Sequence, residues 1–155
     1  MRLLAAAVVL LVSIPLAGAA PPRTLRPFTT DGCSLFPDRD PVRHVEWREC
    51  CVAHDMAYWR GGTEAERLHA DEALRACVAQ RTGDTRLAEL MFRGVRAGGA
   101  AVFPTWYRWA YGWRSYGRLY APLTEAERAL ADAALARWRS VQGTGEPLGA
   151  AWPAR

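Results

Sequence analysis

The sequence predicts an all-α domain, mainly helical and stapled by disulfides, and three observations carry that expectation. Apolar residues recur at helical spacing behind capping signals at Thr63-x-x-Glu66, Thr82-Gly83-Asp84-Thr85 and Thr124-x-x-Glu127. No stretch alternates convincingly with the period of two that a half-buried strand requires. The cysteines, Cys33, Cys50, Cys51 and Cys77, form an even set in a chain that opens like an exported one.

Taken in order, residues 1–19 read as a cleaved secretory signal peptide. Arg2 gives a short basic start, Leu3 to Leu16 is apolar apart from Ser13 and Pro15, and Ala17-Gly18-Ala19 supplies the small-x-small cleavage pattern. The run is too short, and too closely followed by Pro21-Pro22, for a membrane span. A retained N-terminal anchor is the alternative. Residues 20–30 are an extended, Pro-rich lead-in, and 31–141 form the domain, long enough for one core. Asp31 to Pro41, with its Gly, Pro and Asp, is a loop. A helix is expected from about Glu46 to Arg60, where Gly61-Gly62 stops it. The Thr63 capping box opens a second helix to about Gln80, with Leu68, Leu74 and Val78 sharing a face with Asp71. Leu87, Leu90, Met91 and Val95 describe a third amphipathic helix that fades at Gly98-Gly99.

Pro104 to Tyr120 is crowded with Trp and Tyr, interleaved with Arg108, Arg114 and Arg118. Such a segment suits packing over the helices, a short hairpin, or the headgroup region of a bilayer. Thr124 opens a last helix to about Ser140, and residues 142–155 form a flexible tail. The pattern Thr-Glu-Ala-Glu-Arg-x-x-Ala-Asp occurs twice, ending at Asp71 and at Asp132. No histidine–aspartate element precedes the second copy, so Asp132 serves as an internal control.

Every basic side chain apart from histidine is arginine, and the formal charge is +4. The arginines are spread evenly, which argues against nucleic acid and is compatible with an anionic membrane surface. There is no Gly-x-Ser-x-Gly elbow and no phosphate loop, so serine esterases and nucleotide enzymes have no support.

The chemistry concentrates in Cys50-Cys51-Val52-Ala53-His54-Asp55, followed by Tyr58, with Asp71 on the next helix. A Gly-Gly turn favours an antiparallel helix pair. His54 and Asp71 lie equally far from that turn, so they should stand at the same height. Cys50 and Cys77 are also level, farther from the turn. Adjacent Cys50 and Cys51 can hardly pair with each other, which leaves two pairings; of these, a Cys50–Cys77 bridge between the level positions would pin the helices and leave Cys33 for Cys51. Across such a pair Asp71 could hold one imidazole nitrogen while the other takes a proton from water. Tyr58, one turn beyond His54, could bond Asp71. Asp55 points elsewhere and could join carbonyls of the Cys33 loop around calcium.

These residues resemble the secreted phospholipase A2 superfamily, whose signature is Cys-Cys-x-x-His-Asp followed by a Tyr on one helix and a partner Asp on an antiparallel helix. The resemblance spans roughly residues 28–80, and the short His54–Asp71 interval is closest to compact microbial and viral members. It implies His54 as general base, Asp71 as its orienter, Asp55 as the calcium carboxylate, and the pairs Cys33–Cys51 and Cys50–Cys77. It also implies a phospholipid substrate at a membrane surface and a secreted or periplasmic location. In the loop, Gly32 matches a ligand position, while Ser34 and Phe36 would supply carbonyls without glycine's freedom and Pro37 constrains Phe36. Asp31 or Asp38 could supply a replacement ligand.

Rival expectations are a buried His54–Asp71 pair kept for packing, Asp55 in a salt bridge with Arg48 or Arg60, and zinc held by His54 with cysteines. His44 and His69 read as ordinary polar residues. At the level of the whole protein, the rivals are a non-catalytic member of the fold that binds lipid or a protein partner, and an envelope structural protein docking through its aromatic run.

Overall fold

A computed structural model describes residues 24–114 and 118–143. The signal peptide expected at 1–19 lies outside them, as do the start of the lead-in and the tail beyond 143. Among the described residues the chain is helical: α1 (Arg48–Arg60), α2 (Glu64–Thr82), α3 (Thr85–Gly98) and α4 (Glu125–Gly143). Extended pairing among them is confined to isolated bridges, Leu25 with Trp113 and Arg39 with Glu46.

Three helices start where their caps predict. The Thr63 hydroxyl accepts from the Glu66 N–H at 3.2 Å and the Glu66 carboxylate accepts from the Thr63 N–H at 2.6 Å, a reciprocal capping box. Thr124 and Glu127 repeat it at 3.2 and 2.9 Å. Asp84 accepts from the N–H groups of Arg86 and Leu87, both at 3.0 Å. The exception is α1, which starts at Arg48 rather than near Glu46. There the backbone is committed to the preceding loop: Glu46 bridges Arg39, and the Trp47 N–H donates to the Asp38 carbonyl at 2.9 Å.

Contacts between α1 and α2 close in on the Gly61-Gly62 turn from both sides. Glu49 pairs with Arg81, Cys50 is bonded to Cys77, His54 meets Asp71 and Tyr58 meets Arg67. That ladder makes the two helices antiparallel. The second disulfide joins Cys51 to Cys33, so neighbouring cysteines anchor α1 to α2 and to the loop. Together the bridges mark an oxidising compartment. No helix among the described residues is long and apolar enough to cross a membrane.

The buried face of α2 is Arg67, Ala70, Asp71, Leu74 and Val78. Leu68, expected on that face, is 41% exposed. At 100° per residue, Arg67 falls in line with Asp71, Leu74 and Val78, whereas Leu68 is turned well away. A charged residue therefore occupies a place that hydropathy assigns to leucine.

The aromatic segment caps α1. A helix leaves its last carbonyls without intrahelical donors, and this segment supplies them. The Tyr58 carbonyl accepts from the Ala110 N–H at 2.7 Å and the Trp59 carbonyl from Gly112 at 3.1 Å. Indole N–H groups serve two more: Trp113 donates to the Arg60 carbonyl at 2.7 Å and, just past the helix end, Trp109 to the Gly62 carbonyl at 2.9 Å. Trp109 and Trp113 are both buried, so these two rings pack inside the molecule rather than face a bilayer, while Trp106 is exposed. Helix α4 lays Ala131 and Leu135 against Phe28 and Trp59.

Candidate active site

His54 and Asp71 meet inside the molecule. His54 Nε2 lies 2.8 Å from Asp71 Oδ1, and both residues are buried. The same oxygen accepts from the Tyr58 hydroxyl at 2.8 Å. Asp71 Oδ2 accepts from Arg96 Nη1 at 2.8 Å, with Arg67 Nε 3.8 Å away. Burial alone would raise the Asp71 carboxyl, but hydrogen bonds from His54, Arg96 and Tyr58 outweigh it and hold the group below its ordinary value. Asp71 is therefore an ionised, acceptor-only group, and Nε2 must carry the imidazole proton. The lone pair is left on Nδ1, which makes no hydrogen bond to the described residues.

The ring is fixed by its neighbours. Tyr58 stacks obliquely on it at 4.1 Å between centroids, and Trp109 meets Tyr58 edge-on at 5.1 Å. Burial, and then the Asp71 charge, raise the Tyr58 phenol and keep it a neutral donor. Gly99 makes room for it: a Cβ there would lie 2.5 Å from Tyr58 Cε1 and 2.8 Å from its hydroxyl. The Gly98-Gly99 pair that reads as a helix ending is thus also a clearance for the tyrosine.

Arg67 and Arg96 are the members of the site that the sequence reading missed. Arg67 is 2% exposed. It donates to the Tyr58 hydroxyl at 3.0 Å, to the Tyr120 hydroxyl at 3.0 Å, and to the carbonyls of Val95 and Arg96 at 2.9 and 2.8 Å. In this way it ties α1, α2, the end of α3 and the aromatic segment into one network. Its only sequence signal is its place four residues before Asp71.

Asp55 points away from His54's partner, as its position on α1 requires. Its Oδ2 accepts from the Thr30 hydroxyl at 2.6 Å. Neither arginine considered for it is its partner, since Arg48 pairs with Asp38 at 3.4 Å and Arg60 with Asp132 at 3.0 Å. Burial, with Asp31 and Asp38 nearby, raises its carboxyl to about 7.

The Cys33 loop lies beside it. Its hydrogen bonds run to the carbonyls of Cys33, Pro37 and Asp38, from Phe36 N, Trp47 Nε1 and Trp47 N. The carbonyls of Gly32, Ser34 and Phe36 accept none of them. Gly32 has φ +83°, and a side chain there would strike the Asp38 carboxylate. The Asp55 carboxylate and these three carbonyls are hard oxygen donors, the ligand type that calcium takes. No cluster of three or more His, Cys, Asp or Glu side chains among the described residues could hold a metal, and all the cysteines are in disulfides, which removes the zinc alternative.

His54, Asp55, Tyr58 and the loop open into one cleft of about 300 Å³. Its opposite wall is α3, with Leu90, Met91, Val95 and the glycines Gly94, Gly98 and Gly99, and Tyr107 closes one end. Leu90, expected in the core, is 58% exposed at this wall, as is Leu35 at 78% on the loop. His44 and His69 are exposed and outside the site.

No family model, curated protein or solved structure matches the chain. Function has to be argued from the chemistry of the cleft.

Proposed function

We propose that the protein hydrolyses an acyl ester of a glycerophospholipid in the manner of the phospholipase A2 superfamily, outside the cytoplasm, either secreted or periplasmic. The observation that carries this reading is the His54 ring: Nε2 is held by an ionised aspartate, and the other nitrogen belongs to an apolar cleft that also contains Asp55 and the Cys33 loop. The antiparallel pair of helices cross-linked by Cys50–Cys77 would then be the family's helix hairpin.

In this reading His54 Nδ1 takes a proton from a water as the water oxygen bonds to the ester carbonyl carbon. Asp71 stabilises the imidazolium, and Tyr58 fixes Asp71. The tetrahedral adduct collapses by breaking the bond to the glycerol oxygen, which receives the proton from Nδ1. A free fatty acid and a lysophospholipid leave. Asp55 with the carbonyls of Gly32, Ser34 and Phe36 would hold calcium, whose charge, when bound, polarises the ester carbonyl. The need for such a charge is local. The Gly32 N–H is spent on the Thr30 hydroxyl at 3.1 Å and the Cys33 N–H on Asp38 at 2.8 Å, so neither is available to an oxyanion. The apolar α3 wall accommodates the acyl chain.

The test is hydrolysis of mixed phospholipid vesicles by the oxidised protein, with calcium and with a chelator. His54→Gln should lower the rate about 10²–10⁴-fold with helix content and disulfides unchanged. Full activity in that variant removes the mechanism.

A second reading, a non-catalytic lipid-binding or partner-binding member of the fold, is favoured by the loop, where Ser34 and Phe36 stand without glycine's freedom. Calcium titration of the folded protein separates the two, because absence of binding at millimolar ion favours the second.

A further inference from the structure

A second cavity, of about 250 Å³, shares no lining residue with the cleft and is walled by the aromatic segment and residues 26–29. It is built where residues 24–26 run antiparallel to residues 112–114. Leu25 bridges Trp113, the Arg26 N–H donates to the Gly112 carbonyl at 2.8 Å, and the Arg114 N–H donates to the Thr24 carbonyl at 3.2 Å. In such a ribbon, side chains alternate between faces. Leu25 and Trp113 face the core, which leaves Arg26 and Arg114 on the opposite face as diagonal neighbours, about 7–8 Å apart at their Cα atoms. Both line the cavity, and Arg108, itself buried, lines it as well.

The charges of Arg26 and Arg114 are not balanced by an acidic side chain among the described residues. No carboxylate among the described residues lines the cavity, and neither Arg26 nor Arg114 forms a salt bridge with any described residue. Elsewhere acidic partners are common: Arg118 pairs with Glu127 at 2.6 Å and Arg93 with Glu89 at 2.8 Å. An independent observation points to a missing acceptor. Thr105 Oγ1, on the same cavity wall, is buried without a hydrogen-bond partner. Only one other described side-chain atom shares that condition, Arg118 Nε, in a guanidinium already bonded to Glu127. A native hydroxyl orphaned in this way calls for a bound water or ligand group. Trp106, exposed at the cavity, adds an indole surface beside the polar floor.

We infer that this cavity binds an organic phosphate, with Arg26 and Arg114 meeting the phosphate oxygens, Thr105 supplying a hydroxyl donor, and Trp106 covering the attached organic group. Guanidinium pairs match phosphate oxygens in geometry as well as charge. The volume exceeds what a bare phosphate fills, so a small alcohol moiety enters with it. A glycerol phosphate, free or as the end of an anionic lipid, has this chemistry.

The experiment titrates the oxidised protein calorimetrically with glycerol 3-phosphate, with glycerol, and with inorganic phosphate, and measures flotation with phosphatidylglycerol or phosphatidylcholine vesicles. Saturable binding of glycerol 3-phosphate is expected, with none for glycerol and weaker binding for inorganic phosphate. The double variant R26Q/R114Q, altered only at exposed positions, should weaken it by about tenfold or more. Thr105→Val should weaken it less, and His54→Gln should leave it unchanged. If glycerol 3-phosphate displaces the protein from phosphatidylglycerol vesicles the source is a lipid headgroup; if vesicle association is absent or indifferent to it, the source is a soluble ester. Folded wild-type protein without saturable binding, binding unaffected by R26Q/R114Q, or binding lost in His54→Gln each overturns the assignment. None of these results bears on hydrolysis in the other cleft.

Discussion

Helices α2 and α4 open with the same residues, Thr-Glu-Ala-Glu-Arg-x-x-Ala-Asp, and make different use of them. Both build the same capping box, and both bury the alanine, Ala70 or Ala131. The neighbouring aspartates diverge completely. Asp71 is 0% exposed and gathers His54, Tyr58 and Arg96; Asp132 has a side chain 59% exposed and pairs with Arg60 at the surface. The arginines follow suit, with Arg67 enclosed and Arg128 exposed, where it donates to the Leu123 carbonyl. The reason is the number of neighbours. Helix α2 packs against both α1 and α3, so a broad arc of its surface is covered. Helix α4 lies on Phe28 and Trp59 and covers only a narrow arc. Local sequence fixes where a helix begins, and the surroundings decide which of its polar groups become chemistry.

The sharpest way to break this comparison is Asp71→Asn set against Asp132→Asn. An amide at 71 can donate to Nε2, which would move the imidazole proton to Nδ1 and abolish the base. Hydrolysis should fall about 10⁴-fold, by the tautomer argument that applies to other histidine–aspartate pairs, with Asp132→Asn at the wild-type rate. Next in size is Arg67→Met against Arg128→Met. The first leaves Tyr58, Tyr120 and two carbonyls without their shared donor and should cost about 3–5 kcal/mol in denaturant unfolding. The second should cost less than about 1 kcal/mol.

Acid titration sharpens the same contrast. The Asp71 carboxyl is held below its ordinary value of 3.8, so the folded state binds fewer protons there than the unfolded state. Its contribution to stability is complete above about pH 4 and is lost as pH falls below that. Asp71→Asn should flatten the acid limb of the stability curve, whereas Asp132→Asn should leave it in place. The smallest effect is the shared one. Thr63→Ala and Thr124→Ala should each cost about 1 kcal/mol, because capping is local and the two boxes are alike. Unequal losses would show that the cap, too, depends on what packs around it.

The same division explains what could be read from the chain. The caps, the turn at Gly61-Gly62, the disulfide pairs and the meeting of His54 with Asp71 all follow from short-range spacing, and the structure has them. Arg67 and Arg96 were not legible, because a guanidinium on a helix reads as solvated unless its acceptors are known, and these acceptors lie on other elements: α1, α3 and the aromatic segment for Arg67, Asp71 of α2 for Arg96. Leu68 and Leu90 were misplaced for a related reason: hydropathy ranks residues by type, whereas burial here follows the faces that α1 and α3 present. The aromatic segment gave composition without pattern. Its role as a cap depends on backbone and indole N–H groups about fifty residues downstream of the carbonyls they serve, a relation to which no local window is sensitive.

That long reach has a consequence for how the protein comes into being. The last turn of the helix bearing His54 finds its donors only in residues 109–113. During synthesis, the part already emerged lacks those donors until residues 109–113 have followed it. Maturation is therefore tied to delivery of the chain through these residues, and a fragment ending before Trp109 would carry every residue of the imidazole–carboxylate pair with nothing to close the helix that presents them.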